Sequence, residues 1–163
     1  MHTRVGEARD LALNASFEAC SLIAEIMQNL DSDNSMEPST AERLLQRLRD
    51  WSSSLPNHVR QFTKSTDLPL TILDQEQVIG NIHIACVYYF AVMLVTRPFL
   101  ISHLMANLPG GGPETLETTT ATKHQSEVVN LAQACIDSAM FMAQMCHDAL
   151  QPGLLLNNMC LMK

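Results

Sequence analysis

Residues 83–100 read HIACVYYFAVMLVTRPFL, and the twelve positions from Ile84 to Val95 carry no charge. Wound into a helix, this run is apolar on every side and has no face to offer to water. It must therefore lie among other elements, and the remaining segments are read for their ability to surround it. Crossing about 30 Å of hydrocarbon takes about 20 residues of helix. The run is shorter than that and Arg97-Pro98 closes it, so the expectation is a buried strut in a soluble protein rather than a membrane span.

Candidate partners lie on both sides. From residue 4 to residue 30, Leu11, Ala15, Ala19, Leu22, Ile23, Ile26 and Leu30 recur at spacings of three and four, with Val5, Ala8, Ala12 and Met27 on the same stripe. This is the pattern of an amphipathic helix, stopped by the short polar side chains of residues 31–35. A second helix over residues 39–53 has Ser39 and Glu42 in the capping-box relation and an apolar face of Ala41, Leu44, Leu45, Leu48 and Trp51. Its Arg43, Arg47 and Arg49 are interleaved with acids and read as a solvated face. Residues 57–73 show no sustained period and read as an irregular connection whose Phe62, Leu68, Leu70 and Ile72 plug into the core.

Asp74 and Gln77 form a second capping-box pair that opens the central helix, expected over residues 75–97. Pro98 lacks a backbone donor and crowds the preceding turn, so the helix is expected to end or kink there and resume briefly to Ala106. Residues 107–122, rich in Gly, Pro and Thr, read as a flexible loop. No Lys-Ser or Lys-Thr follows the glycines, so the loop lacks the signature of a phosphate cradle. The last clear helix spans residues 123–150, with Val128, Leu131, Ala132, Cys135, Ala139, Met142, Ala143, Cys146 and Leu150 on one stripe, and LLLNNMCLMK begins a further apolar element. The chain thus reads as all-α: an irregular bundle of about four main helices forming one partial helical domain over residues 1–163.

At 163 residues, one domain can bury roughly two-thirds of its unfolded surface. A net charge of −7 opposes nonspecific attraction to phosphate, which excludes direct nucleic-acid binding as the default. Five cysteines at positions 20, 86, 135, 146 and 160 include no close pair, so neither a disulfide framework nor a zinc module follows. The first ten residues lack the apolar stretch of a signal peptide.

No constellation of catalytic residues stands out. His83 and Cys86, at i and i+3, could face one ligand, but a metal site needs three or four donors and no others cluster nearby. They read as a core-edge histidine and a buried thiol. Cys146 and His147 are adjacent on a helix and so point about 100° apart, which prevents them from meeting as nucleophile and base. Asn14-Ala15-Ser16 matches the glycosylation sequon inside a helix, where coincidence is the better reading. Arg97, directly after so apolar a run, needs helix-end carbonyls or an acid as partner and reads as a structural clamp, with effector binding as the alternative.

Three stretches together carry a family resemblance. Leu48, Trp51 and Leu55-Pro56 form a Leu-x-x-Trp followed by Leu-Pro. His83, Tyr88-Tyr89, Leu94 and Arg97-Pro98-Phe99-Leu100 form a line of histidine, tyrosine pair, aliphatic run and Arg-Pro. Ala132, Cys135-Ile136 and Ala139 fall in an alanine-rich helix containing a cysteine. In order and spacing these resemble the regulatory domain, or middle homology region, of fungal transcription factors with a binuclear zinc cluster, over most of residues 36–150.

The resemblance implies a nuclear, all-α, non-enzymatic domain that restrains or licenses activation, in some members of the family in response to a small molecule. Its expected partners are other parts of the same factor, transcriptional regulators or a small-molecule effector, with no direct nucleic acid and no membrane. No cofactor is expected in this chain, because zinc belongs to an N-terminal six-cysteine cluster that the sequence lacks. The earlier Arg-Arg-x-Trp-like helix and Gly-Arg-Pro turn are also missing, so the chain reads as the later half of such a domain, a fragment or truncated product, with too few partners for its central helix. Two other classes stay open: a stand-alone adaptor that captures a partner helix, and a small helical enzyme using Cys146 or His83.

Overall fold

The computed structural model describes residues 2–30, 35–60, 72–108 and 119–150. Every element among them is helical, as the periodicities of three and four predict: α1 (His2–Gln28), α2 (Pro38–Ser54), α3 (Asn57–Arg60), α4 (Ile72–Ala106) and α5 (Thr119–Leu150). The expected connection after α2 contains the single turn of α3, which buries Val59. Phe62, Leu68, Leu70, most of the Gly-rich loop and the terminal apolar stretch lie outside the described residues. Residues 119–122, expected in that loop, belong to α5.

The ends of α2 follow from backbone chemistry rather than from the expected capping box. Glu37 is the N-cap, with an extended backbone and no side-chain cap, and Pro38 occupies the first turn, where its missing N–H has no helical partner to lose. Ser39 is therefore inside the helix. At the other end Leu55 is held extended by the following Pro56. The Ser54 hydroxyl donates to the Trp51 carbonyl at 2.7 Å, answering one of the orphan acceptors of the last turn.

α4 corrects the sequence reading in three respects. It begins at Ile72, before Asp74, so Asp74 is not a cap. It runs through Pro98 to Ala106 without a break. A proline there removes one hydrogen bond, to the Leu94 carbonyl, but the buried Phe99 immediately beyond it anchors the next turn to the core. Two residues before the proline, the buried Thr96 hydroxyl donates back to the Val92 carbonyl at 2.7 Å, an arrangement that accommodates helix bending. Finally, the most apolar 18-residue stretch within Gln77–Ala106 has a mean hydropathy of 2.0, so by length and composition α4 could span a bilayer, contrary to the expectation that it is too short.

The surroundings of α4 are those of a strut. It contacts all four other helices, α5 most extensively. α5 is antiparallel to it, because Tyr89 meets Phe141 while Cys86, earlier on α4, meets Cys146, later on α5. One core cluster joins Ile26 of α1, Leu44, Leu45 and Leu48 of α2, Ala91, Val92, Val95 and Phe99 of α4, and Leu131 of α5. A second joins Ala15 and Ala19 of α1 to Trp51, Leu55, Val59 and Ile84. Polar ties complete the frame. Buried Asn81 of α4 donates to the His58 carbonyl of α3 at 2.7 Å. Glu25 of α1 accepts hydrogen bonds from Arg43 and Arg47 of α2, and Arg43 also donates to the Asn29 side chain at 3.1 Å.

Coverage of α4 is incomplete. Only 28% of its most apolar stretch is buried, which leaves it more open than a fully enclosed core helix. Buried Ala91, Val92, Val95, Thr96 and Phe99 face inward, whereas Phe90, Ile101, Leu104 and Met105 are exposed.

Replacing Pro98 by Ala tests the continuity of α4. The substitution restores a donor to the Leu94 carbonyl and removes the ring's clash, so stability should rise by roughly 1 kcal/mol in urea unfolding, a fraction of the full helix-interior penalty of about 3 kcal/mol. A loss of stability would show that α4 needs a break at this point.

Candidate functional site: an aromatic ladder across three helices

Adjacent residues on a helix point about 100° apart. Tyr88 and Tyr89 can therefore reach two different neighbours from one place on α4. Tyr88 stacks on Trp51 of α2, with ring centroids 6.5 Å apart and planes at 21°. Tyr89 stacks on Phe141 of α5, at 5.8 Å and 21°. The two tyrosines meet edge to face at 5.4 Å and 77°. The four rings form a ladder from α2 through α4 to α5, in the offset and T-shaped geometries that aromatic quadrupoles favour.

Trp51 ends this ladder in an unusual state. It is buried, and its indole Nε1 has no hydrogen-bond partner among the described residues. A buried donor left unpaired costs roughly 1–3 kcal/mol. Beside it, an open groove of about 450 Å³ runs between α1 and α2, lined by Phe17, Glu18, Leu22, Asp50 and Trp51 together with the Glu25–Arg47 ion pair. Phe17 is 76% exposed, which makes the rim of this groove apolar as well as acidic.

The residues singled out in the sequence divide into two sets. Leu48, Trp51, Leu55 and Cys135 are buried, Pro56 and Pro98 are half-buried, and Tyr88 and Tyr89 form the centre of the ladder. His83 and Arg97 are not brought to them. Both are exposed and, with Phe90 and Leu104, recur every seven residues along the outer stripe of α4. Arg97 lies within the helix rather than at its end, and no acceptor for its guanidinium lies among the described residues. The helix-end clamp expected of it therefore does not form there.

The remaining chemical candidates also resolve. Cys146 is paired across helices with Cys86, sulfur to sulfur at 3.9 Å, and not with His147. Among the described residues no group of three or more His, Cys, Asp or Glu could hold a metal ion. Arg43, Arg47 and Arg49 are exposed, as a solvated face requires, and from that face Arg43 and Arg47 engage Glu25. On α5 the expected stripe holds at Leu131, Ala132 and Cys135, which are buried, and is broken further on, where Ser138 and Ala149 are buried while Ala139, Ala143 and Leu150 are exposed. Phe141 falls outside that stripe, and for this reason sequence periodicity misses its place in the ladder.

Burial pushes the Cys86 thiol up from 9.0 to about 11, helped by repulsion from Cys146 and by the contact between the two sulfurs. Burial likewise raises the Tyr88 phenol, with Arg49 opposing.

No protein-family model, curated protein or solved structure matches the chain.

Two predictions follow from the ladder and its thiol. Trp51→Ala should cost about 3–5 kcal/mol in urea unfolding followed by circular dichroism. Trp51→Phe should cost only about 1–2 kcal/mol, because it keeps a ring on Tyr88 and deletes the unpaired donor. Equal losses would exclude that reading. Between pH 9 and about 11 the unfolded chain releases a Cys86 proton that the folded chain still holds. Stability is thus intact below pH 9 and declines as pH rises toward about 11, with Tyr88 pulling the same way above its ordinary 10.0. The urea midpoint should fall over this range, and less steeply in Cys86→Ser.

Proposed function

We propose that this chain is a non-catalytic regulatory and interaction domain of a fungal zinc-cluster transcription factor, acting in the nucleus without a zinc cluster of its own. It modulates activation through contacts with other parts of that factor, with transcriptional regulators or with a small-molecule effector, and contacts neither nucleic acid nor membrane directly. The observation that carries this reading is the two-sided character of α4. Its inner face is packed against the other helices, while its outer stripe presents His83, Phe90, Arg97, Ile101 and Leu104. Large exposed apolar side chains flanked by a cation are the composition of a protein-contact surface. The meeting of Trp51 with Tyr88, from two separate stretches of the resemblance, adds support. The same outer stripe also suits the second reading, a stand-alone adaptor that binds a partner helix.

The test is a reporter assay in which the full chain joins an unrelated DNA-binding segment to an unrelated activating segment. The regulatory reading predicts that inserting the domain changes output about fivefold or more, equivalent to roughly 1 kcal/mol of coupling. Phe90→Ala and Arg97→Ala should remove the change while leaving the thermal melt in place. Output indifferent to the domain would contradict the reading, as would zinc-dependent DNA retention by the chain alone at physiological salt.

A further inference from the structure

Cys86 of α4 and Cys146 of α5 lie 60 residues apart in sequence, and their sulfurs are 3.9 Å apart. Both are free thiols and both are half-buried, so they are reachable by a small reagent yet held by their helices. We propose that they form a modification site in which a small disulfide of the glutathione class converts the pair to an interhelical disulfide, locking α5 to α4. The corresponding thiol reverses the reaction. This site is independent of the regulatory reading.

The geometry leaves little to rearrange. Against a bond length of about 2.05 Å, the sulfurs must approach by about 1.9 Å, a displacement of the scale that rotation about the two χ1 angles supplies. The Tyr89–Phe141 stack, about one turn along the same interface, holds the register of the two helices while this happens. The other cysteines among the described residues lack one of the two requirements. Cys20 is exposed, with no second described thiol in contact, and Cys135 is buried.

The chemistry proceeds in two exchanges. Cys146, as thiolate, attacks one sulfur of the small disulfide; that S–S bond breaks, and the departing thiolate takes up the proton that Cys146 released. Cys86 then gives up its proton and attacks the Cys146 sulfur, breaking the mixed disulfide and releasing the second small thiol. Two protein thiols are oxidised by two electrons, one small disulfide is reduced to two thiols, and both protons leave on them. Cys86 suits the second role. Burial, and to a smaller extent its neighbour, keeps it protonated, so it reacts after Cys146; capping Cys146 removes the neighbour's repulsion and hydrogen bond, while the burial remains.

The experiment equilibrates the full, reduced chain in a graded series of reduced and oxidised glutathione, quenches with acid and an alkylating reagent, and maps the peptides by mass spectrometry. The expected result is a crosslink joining the Cys86 and Cys146 peptides without added glutathione mass, reversed by dithiothreitol. Because it closes a loop of this length, it should raise the melting temperature by about 5–10 °C. Cys86→Ser should trap glutathione on Cys146 and abolish the thermal gain, as should Cys146→Ala. Wild-type chain in which both cysteines stay free across the series, or in which each carries its own glutathione, overturns the proposal. So does a crosslink that lowers the melting temperature.

Discussion

The fold depends on the uncharged run from Ile84 to Val95 in α4, which has no polar side to offer to water. The buried residues of α4, from Ile82 and Ile84 to Val95 and Phe99, draw α1, α2, α3 and α5 onto one helix, and the two core clusters follow one another along its inner face. Burying its twelve uncharged central residues completely is worth on the order of 20 kcal/mol before chain entropy is subtracted, and the fold realises only part of that. The remainder stays outside, in the stripe through Phe90, Ile101 and Leu104. That unspent apolar surface is the physical reason for reading the domain as one that works through contact with another protein.

The polar interactions serve mainly to orient the helices around α4. The Asn81–His58 hydrogen bond fixes the turn of α3, where an unpaired amide in the same buried position would be costly. Glu25 draws two arginines of α2 toward α1, but those partners are about half exposed, so the gain in stability is small and the benefit is one of register. The aromatic ladder adds lateral connection. Tyr88 and Tyr89 are neighbours in sequence, so a displacement of α4 against α2 is felt at once by the contact with α5.

Legibility in the sequence follows how local each decision is. The apolar face of α2 is readable residue by residue: Ala41, Leu44, Leu45, Leu48 and Trp51 are all buried. The all-α class and the central place of residues 83–100 are equally plain, since both rest on periodicity within one segment. Helix ends are less so, because the local penalty of Pro98 is visible in the sequence while the tertiary anchoring by Phe99, one residue on, which outweighs it, is not. α5 is read least well. Its alanines make a stripe of small residues that could face either way, and which face is buried is decided by the shape of α4. The pairings that build the site, Trp51 with Tyr88, Tyr89 with Phe141 and Cys86 with Cys146, join residues 37 to 60 positions apart and leave no periodic trace.

The inner face of α4 should be the last part of the protein to come apart, because the other helices all pack against it. Native-state hydrogen exchange followed residue by residue tests it most directly. The amides of residues 91–96, buried against α1, α2 and α5, should exchange only through global unfolding, with protection that tracks the stability measured in urea. Exchange there through local fraying, at rates like those of the exposed last turn of α4, would show that this face is not the last to open.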